Sequence, residues 1–472
     1  MEQIRIKLGY CPTRRDVFSR KSAIDFAKEI KRLLIDWNVD LVDLSGINED
    51  ELLFQESDLK PIITRFREAE VDALFFPHCN FGSEGLVSQV ASAFKLPVLL
   101  WGPRDEGPDE YGMRLRDTQC GMFATGKVLQ RYNVPFTYLT NSWVDSDSFK
   151  EGFQKFLAVA SVVKSLRDLR ILQISTRPQP FWSVICNEGE LIERFGIQVY
   201  PIPLPELVQE MGRVQAEDGQ DYKDTIAFIK ENISQNSPLE QIAKMAALKV
   251  AIRRKAEAFN CRAAAIQCWD ALQDMTGIMP CLANSLLADE GLPVACETDI
   301  HGAITAVLLR AAAMNEKPHF FADITIRHPK EDNVELLWHC GPFAYSLAKD
   351  KSTAKAGEHW ILASKAYGTC EWEIVGGDIT LARFDSDHGQ YRLFIGEGAG
   401  TDGPRTGGTY LWLKVKDWPK WEHKLVRGPY IHHIVGIHGK YGEILLEACR
   451  YLTGLAPDPV EPTLEELQAR WY

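Results

Sequence analysis

Three stretches of the chain place acidic or imidazole side chains in apolar surroundings, where a charge is costly unless it is paired or holds a metal. The first is CETDIHGAITAVLL, residues 296–309, in which Glu297 and Asp299 follow the apolar run LPVAC and lead into an apolar helix. The second is HFFADITI, residues 319–326, with Asp323 as its one acid, followed by VELLWHCGPF, residues 334–343, which carries His339. The third is GPYIHHIVGIHGKYGEILL, residues 428–446, where His432, His433 and His438 stand among glycines. Carboxylates and imidazoles at strand ends suit a divalent cation such as Mn2+, with water and substrate oxygens completing its shell. Glu297 and Asp299 also have a plainer reading, as acidic residues capping a helix N-terminus. His339 taken alone reads as a core histidine.

Other chemistries lack their motifs. The Gly-rich stretch GEGAGTDGPRTGG, residues 396–408, has no G-K-[ST] ending and lies between strand-like segments, so it reads as a turn or surface loop. No G-x-G-x-x-G follows the first strand, which leaves a nicotinamide cofactor without support. No G-x-S-x-G elbow marks a serine hydrolase. The 11 cysteines include no C-x-x-C pair, which argues against a zinc ribbon or a thioredoxin-type site.

The elements that must position these residues follow from periodicity. Residues 5–10, 39–44, 73–77, 96–101 and 136–139 read as strands, with helices over 22–37, 58–69, 82–94 and 121–132 between them. Strands alternating with helices of this length predict a doubly wound parallel sheet. A long helix over 148–166 leads to a second α/β unit. Its strands are expected at 170–175, 197–202, 263–268 and 292–296, with a helix-rich stretch over 205–259 and a helix over 301–314. In such sheets ligands bind at the carboxyl ends of strands, which is where Glu297 and the segment Gln267, Trp269 and Asp270 fall. After about residue 353 short β-type segments dominate, separated by Gly and Asp turns, and predict a barrel or sandwich. The expected domains are residues 1–165, 166–350 and 351–472: two doubly wound α/β domains (Rossmann- or flavodoxin-like) and a β-rich, barrel-like C-terminal domain.

The 472 residues carry a net charge of −12, with 45% hydrophobic and 25% charged residues, the balance of a folded globular chain. That sign disfavours nucleic-acid and membrane-surface roles. No basic segment followed by an apolar one marks a signal peptide, and no apolar run reaches the ~18–20 residues of a membrane span. An odd number of cysteines without a secretion signal argues for reduced thiols, and so for a cytoplasmic protein.

At the motifs above the chain resembles the L-fucose/L-arabinose isomerase superfamily. C-E-T-D followed by GAITAVLL is similar to its first metal-carboxylate motif, F-F-A-D-I to its second, and the late H-H-x-x-x-x-H to its C-terminal histidine motif. The order of domains agrees, and the resemblance covers nearly the whole chain, closer to the fucose branch. It implies that Glu297 and Asp323 are metal ligands and also the acid/base pair. One of His432 and His433 would be the third ligand, with His433 favoured, and Mn2+ would bridge adjacent sugar oxygens. The arabinose branch uses a histidine where His339 lies, so His339 stands as either a fourth ligand or a group behind the ligands. Family members form trimers or hexamers and complete each site with a neighbouring subunit's N-terminal domain. Arg14, Arg15 and the region of His78, Asn80 and Glu84 would then reach a partner's cleft, and an anionic sugar would suit the arginines.

The activity implied is aldose–ketose isomerisation of a monosaccharide, fucose- or arabinose-like or a 6-modified anionic hexose, through a cis-enediol. One carboxylate takes the carbon proton while a second group shuttles the hydroxyl proton. Gln267, Trp269 and His432 are further candidates for holding the sugar. Two rival readings are a non-catalytic sugar-binding protein and a sugar epimerase on the same scaffold.

Overall fold

A computed structural model describes residues 4–359 and 366–471. Contacts divide the chain into two compact units. One comprises Ile4–Lys164, Glu447–Leu452 and the chain end from Gln468, and the other comprises Ser165–Leu446 and Thr453–Leu467.

In the N-terminal unit β1 (Lys7–Tyr10), β2 (Asp40–Val42), β3 (Ala73–Pro77), β4 (Val98–Trp101) and β5 (Thr137–Tyr138) form a parallel sheet in the order β2-β1-β3-β4-β5. Helices α1 (Arg20–Asp36), α2 (Leu59–Glu68), α3 (Glu84–Ser92), α4 (Thr118–Arg131) and α5 (Asp147–Leu166) make its connections. Every residue of β3, ALFFP, is buried, as a strand covered on both faces requires. Helix α1 buries Ala23, Ala27, Ile30 and Leu34, one apolar stripe at helical spacing, and the Ser19 side chain caps it by accepting from the Ser22 N–H.

The second unit opens with another parallel sheet. Its strands are β6 (Arg170–Ile174), β7 (Gln198–Ile202), β9 (Ala263–Ile266) and β10 (Val294–Ala295), in the order β10-β9-β6-β7, while the short β8 (Ser234–Gln235) pairs elsewhere. Helices α6 (Glu188–Phe195), α7 (Leu204–Glu217), α8 (Gln220–Asn232), α9 (Leu239–Ala258), α10 (Ala271–Thr276), α11 (Cys281–Asp289) and α12 (Ile300–Ala312) complete this part.

A 10-stranded sheet follows in the same unit. It contains β11 (His319–Arg327), β12 (Val334–His339), β13 (Lys355–Glu358), β14 (Tyr367–Glu373), β15 (Gly377–Asp387), β16 (Gln390–Thr401), β17 (Thr409–Lys414), β18 (His433–His438) and β19 (Leu455–Glu461), together with β8. Antiparallel pairing runs β16-β15-β18-β11-β12-β17, and a β16–β17 pairing closes that ring into a barrel. The architecture is thus the expected one: α/β domains followed by a β-rich C-terminal part.

Two details differ from the sequence reading. Strands β11 and β12, expected in the second α/β region, are laid into the barrel. The first part of the Gly-rich stretch is the end of β16 rather than a loop. The Pro-containing segment Leu455–Glu461 forms β19, parallel to β16 at one end of the sheet order, where missing N–H donors are tolerated. Beyond these strands α13 (Trp418–Arg427), α14 (Gly442–Ala448) and α15 (Leu464–Ala469) finish the chain. Among the described residues no helix is long and apolar enough to cross a membrane.

Candidate active site

The barrel brings the second and third chemical stretches together by register. Asp323 on β11 pairs directly with His433, the first residue of β18, and with Trp338 on β12, next to His339. Glu297 arrives from the parallel sheet, in a turn just past β10. Glu297 and Thr298 both have left-handed backbones, with φ of 52° and 55°. Such a conformation costs roughly 1–2 kcal/mol for each residue that is not glycine, and strain of this kind gathers at functional sites. The turn aims the Glu297 carboxylate inward, where its side chain is 4% exposed.

The polar atoms converge without completing one another. Glu297 Oε2 lies 3.7 Å from His339 Nε2 and 3.7 Å from His433 Nε2. Asp323 Oδ1 lies 3.6 Å from His433 Nε2 and 4.0 Å from His432 Nε2. None of these separations is a hydrogen bond. Glu297 Oε2, Asp323 Oδ1 and His339 Nε2 are buried and have no hydrogen-bond partner. Orphaned buried atoms are rare and call for an explanation. Glu297 Oε1, by contrast, accepts from the Cys268 thiol at 3.2 Å.

Electrostatics separate the two carboxylates. Burial opposes ionisation of Glu297, but the imidazoles of His339 and His433 outweigh it and hold its pKa below the usual range. For Asp323 burial wins and the pKa is raised. Burial also disfavours charge on His433, yet its hydrogen bond to Asp299 raises its pKa on balance.

With this geometry in place, comparison with known proteins is informative. Residues 9–167 match the model of the fucose/sulfoquinovose isomerase N-terminal domain, and residues 337–454 match that of the L-fucose isomerase C-terminal domain. The chain belongs to the L-fucose isomerase-like superfamily. Sulfoquinovose isomerases of Priestia aryabhattai and Priestia megaterium are each 25% identical to it over 86% of this chain and 90% of theirs. That of Alkalicoccus urumqiensis is 27% identical over 86% of this chain and 88% of its own. The chain is accordingly an aldose–ketose sugar isomerase, which removes the non-catalytic sugar-binding reading.

The other candidate residues of this L-fucose isomerase-like chain fall into two groups. Gln267, Cys268 and Trp269 follow β9 beside the site, since the Cys268 thiol touches Glu297. Gln267 Oε1 accepts from Ser175 Oγ at 2.7 Å, and the Trp269 ring lies 5.7 Å from that of Phe181. His432 is half exposed, its ring 4.3 Å from the ring of His433. Arg14, Arg15 and Asn80 belong to the N-terminal unit, where they gather just past β1 and β3. Asn80 is buried and clips two loops, accepting from the Arg15 and Gly82 N–H groups. Arg14 is buried, paired with Asp50 at 2.7 Å and with Asp16, and stacked on Phe54. Arg15 is part exposed, 3.7 Å from Glu84.

Sequence reasoning named Asp299 as a helix cap but missed the group it joins behind the site. Asp299 caps α12, its Oδ1 accepting from the Gly302 N–H at 2.9 Å, while its Oδ2 meets His433 Nδ1 at 2.9 Å. Arg383 on β15 grips both Asp299 oxygens and also donates to Asp385 at 2.8 Å, and Asp385 contacts His301 Nδ1 at 3.0 Å. Gly302 makes room for this: a Cβ there would lie 2.5 Å from the Phe321 ring and 2.7 Å from Asp299 Oδ2. The available signal was Arg383 itself, a lone arginine between Ala382 and Phe384 in a buried strand.

Proposed function

We propose that this isomerase depends on a divalent cation, Mn2+ first among candidates, held by Glu297, Asp323 and His433, and that it acts on an aldohexose carrying an anionic group at C6. The observation that carries the metal reading is the pair of orphaned buried oxygens, Glu297 Oε2 and Asp323 Oδ1, facing His433 Nε2. Two carboxylate oxygens and an imidazole are a donor set suited to Mn2+ with positions left for substrate. Bound there, such a cation polarises the sugar carbonyl and stabilises charge developing on the adjacent oxygens.

The chain's own residues do the rest. Glu297 and Asp323 would serve as the acid/base pair that moves the proton between C1 and C2 of the sugar. The Trp269 and Phe181 rings offer an apolar wall to the sugar. The anionic class rests on the named substrate of the relatives, sulfoquinovose, and on Arg15, whose one acidic neighbour Glu84 is beyond hydrogen-bond distance. In a homo-oligomer, a trimer or hexamer, a partner's Arg15 would meet the sulfonate. The 11 free cysteines, most of them buried, suit a reducing cytoplasm.

The test is a panel of sulfoquinovose, L-fucose and L-arabinose in D2O, with MnCl2 or with EDTA, followed by NMR. The expected result is a ketose from the sulfonated sugar with Mn2+ present, with solvent deuterium at C1 of the ketose. Full turnover after EDTA treatment overturns the metal reading. Equal turnover of the neutral sugars overturns the anionic one. Epimeric aldoses in place of a ketose mark the epimerase.

A further inference from the structure

We infer that the two buried histidines facing Glu297 are fixed in opposite tautomers: His433 offers a lone pair at Nε2, whereas His339 offers a proton there. His433 is thereby a cation ligand and His339 a hydrogen-bond donor to Glu297 or to a substrate oxygen. This rests on the metal reading above for the ligand role of His433, but the tautomers themselves follow from partners at the far side of each ring.

Each imidazole has one partner that decides. His433 Nδ1 faces Asp299 Oδ2 at 2.9 Å. Ionised, this carboxylate can only accept, and the bidentate Arg383 contact together with the Gly302 N–H keeps it ionised and in place. The proton of neutral His433 therefore sits on Nδ1, and Nε2 presents its lone pair toward Glu297 Oε2 and Asp323 Oδ1. His339 is the reverse case. Its Nδ1 accepts the backbone N–H of Cys340 at 2.9 Å, a donor that cannot be turned round, and lies 3.3 Å from the Cys340 thiol, itself a weak donor. The proton of neutral His339 must then sit on Nε2, which points at Glu297 Oε2 across 3.7 Å. Both Nε2 atoms stand at the same distance from one carboxylate oxygen, yet one ring can bind a cation through it and the other cannot.

Asp299 is the positioning residue in this scheme. It touches neither cation nor sugar, but it sets which nitrogen of His433 is free. Such outer partners are worth ~10–100-fold in metal affinity. Asp385 lies one step further out, bound to Arg383 and His301 and not to His433.

The experiment measures Mn2+ affinity by electron paramagnetic resonance for the full chain and its H433Q, H339Q, D299N and D385N variants. H433Q is expected to abolish tight binding, and D299N to weaken it by ~10–100-fold. H339Q, whose amide can replace the donated N–H, and D385N should stay within about twofold of the parent on the same reasoning. A loss in H339Q as large as in H433Q overturns the assignment, as does D299N with the parent's affinity. A parent chain that binds no Mn2+ defeats the metal reading instead. If D299N does not fold, the tautomers are read directly from nitrogen-15 spectra of histidine-labelled parent chain. The sample is metal-free, at a pH where both rings are neutral, and H339Q and H433Q assign the signals. Protonated Nδ1 for His433 and protonated Nε2 for His339 are expected, and the same tautomer in both overturns the inference.

Discussion

Glu297 and Asp299 are two residues apart, equally buried, and opposite in their use. Asp299 has both oxygens filled, by Arg383, the Gly302 N–H and His433. Its pKa falls far below the carboxylate range: burial opposes ionisation, but Arg383 and His433 overcome it. Glu297 has one oxygen on a thiol and one on nothing. A buried charge that is fully partnered contributes to the integrity of the fold, because removing one partner strands the others. A buried carboxylate oxygen left open marks a place where something else binds. The contrast teaches how to rank polar clusters: completeness of partners, more than burial or charge, separates scaffold from site.

The contrast breaks most sharply under paired substitution. Glu297→Gln is expected to lower kcat/KM by about a thousandfold, the scale of losing a positioned acid/base group. The same change is expected to cost far less stability against urea than the loss of a partner of Asp299, since Glu297 makes a single hydrogen bond, to the Cys268 thiol. Arg383→Met is expected to reverse the pattern of stability, costing ~3–5 kcal/mol because Asp299 and Asp385 lose their shared cation. Urea unfolding of both variants without added metal, beside the assay, checks the pair. An unstable Glu297→Gln protein, or an Arg383→Met protein of parental stability, would erase the distinction between scaffold and site.

Much of this was legible in sequence, for a physical reason. A carboxylate or imidazole in an apolar stretch is visible as a local violation, so Glu297, Asp323 and His433 stand out, while His339 alone reads as a core histidine; the structure places all four within 3.7 Å of a neighbour in the set. The strand–helix alternation of the parallel sheets is likewise local. What stayed hidden depends on distant pairing. Arg383 on β15 lies 84 positions from Asp299 at the start of α12, and no pattern around either residue announces the other. The barrel closure through β16–β17, and the recruitment of β11 and β12 into it, are also matters of register between separate strands.

A smaller effect sharpens the comparison through a third buried histidine, His319, at the start of the strand that carries Asp323. It is as buried as His433 but has Arg310 rather than carboxylates near it, and burial pushes its pKa down to about 3. His433, facing Asp299, moves the other way. His319 is therefore neutral in the folded chain while the unfolded chain takes up a proton near pH 6.5. Between those values the unfolded state binds more protons, so stability is full above pH 6.5 and falls as pH drops toward 3. The slope from this one group is at most about 1.4 kcal/mol per pH unit. Urea unfolding across that range should show a shallower acid loss in His319→Phe than in the parent. An unchanged slope would mean that burial does not hold His319 neutral in the folded chain.

The smallest expected effect repeats the contrast in the N-terminal unit. Arg14 resembles Asp299 in being fully engaged, with Asp50, Asp16 and the Phe54 ring around it, whereas Arg15 has a half-open guanidinium over Phe81. Arg14→Ala should therefore cost about 3 kcal/mol of stability, the lower end for a broken buried pair, since Asp50 keeps Arg20. Arg15→Ala should stay within about 0.5 kcal/mol, as for an exposed loose pair. If a partner's Arg15 meets the anionic end of the sugar, its removal raises KM for the sulfonated aldose and leaves KM for neutral aldoses unchanged, because only the former loses a charged contact. A parallel rise for both sugars would reduce Arg15 to a loop residue with no part in sugar choice.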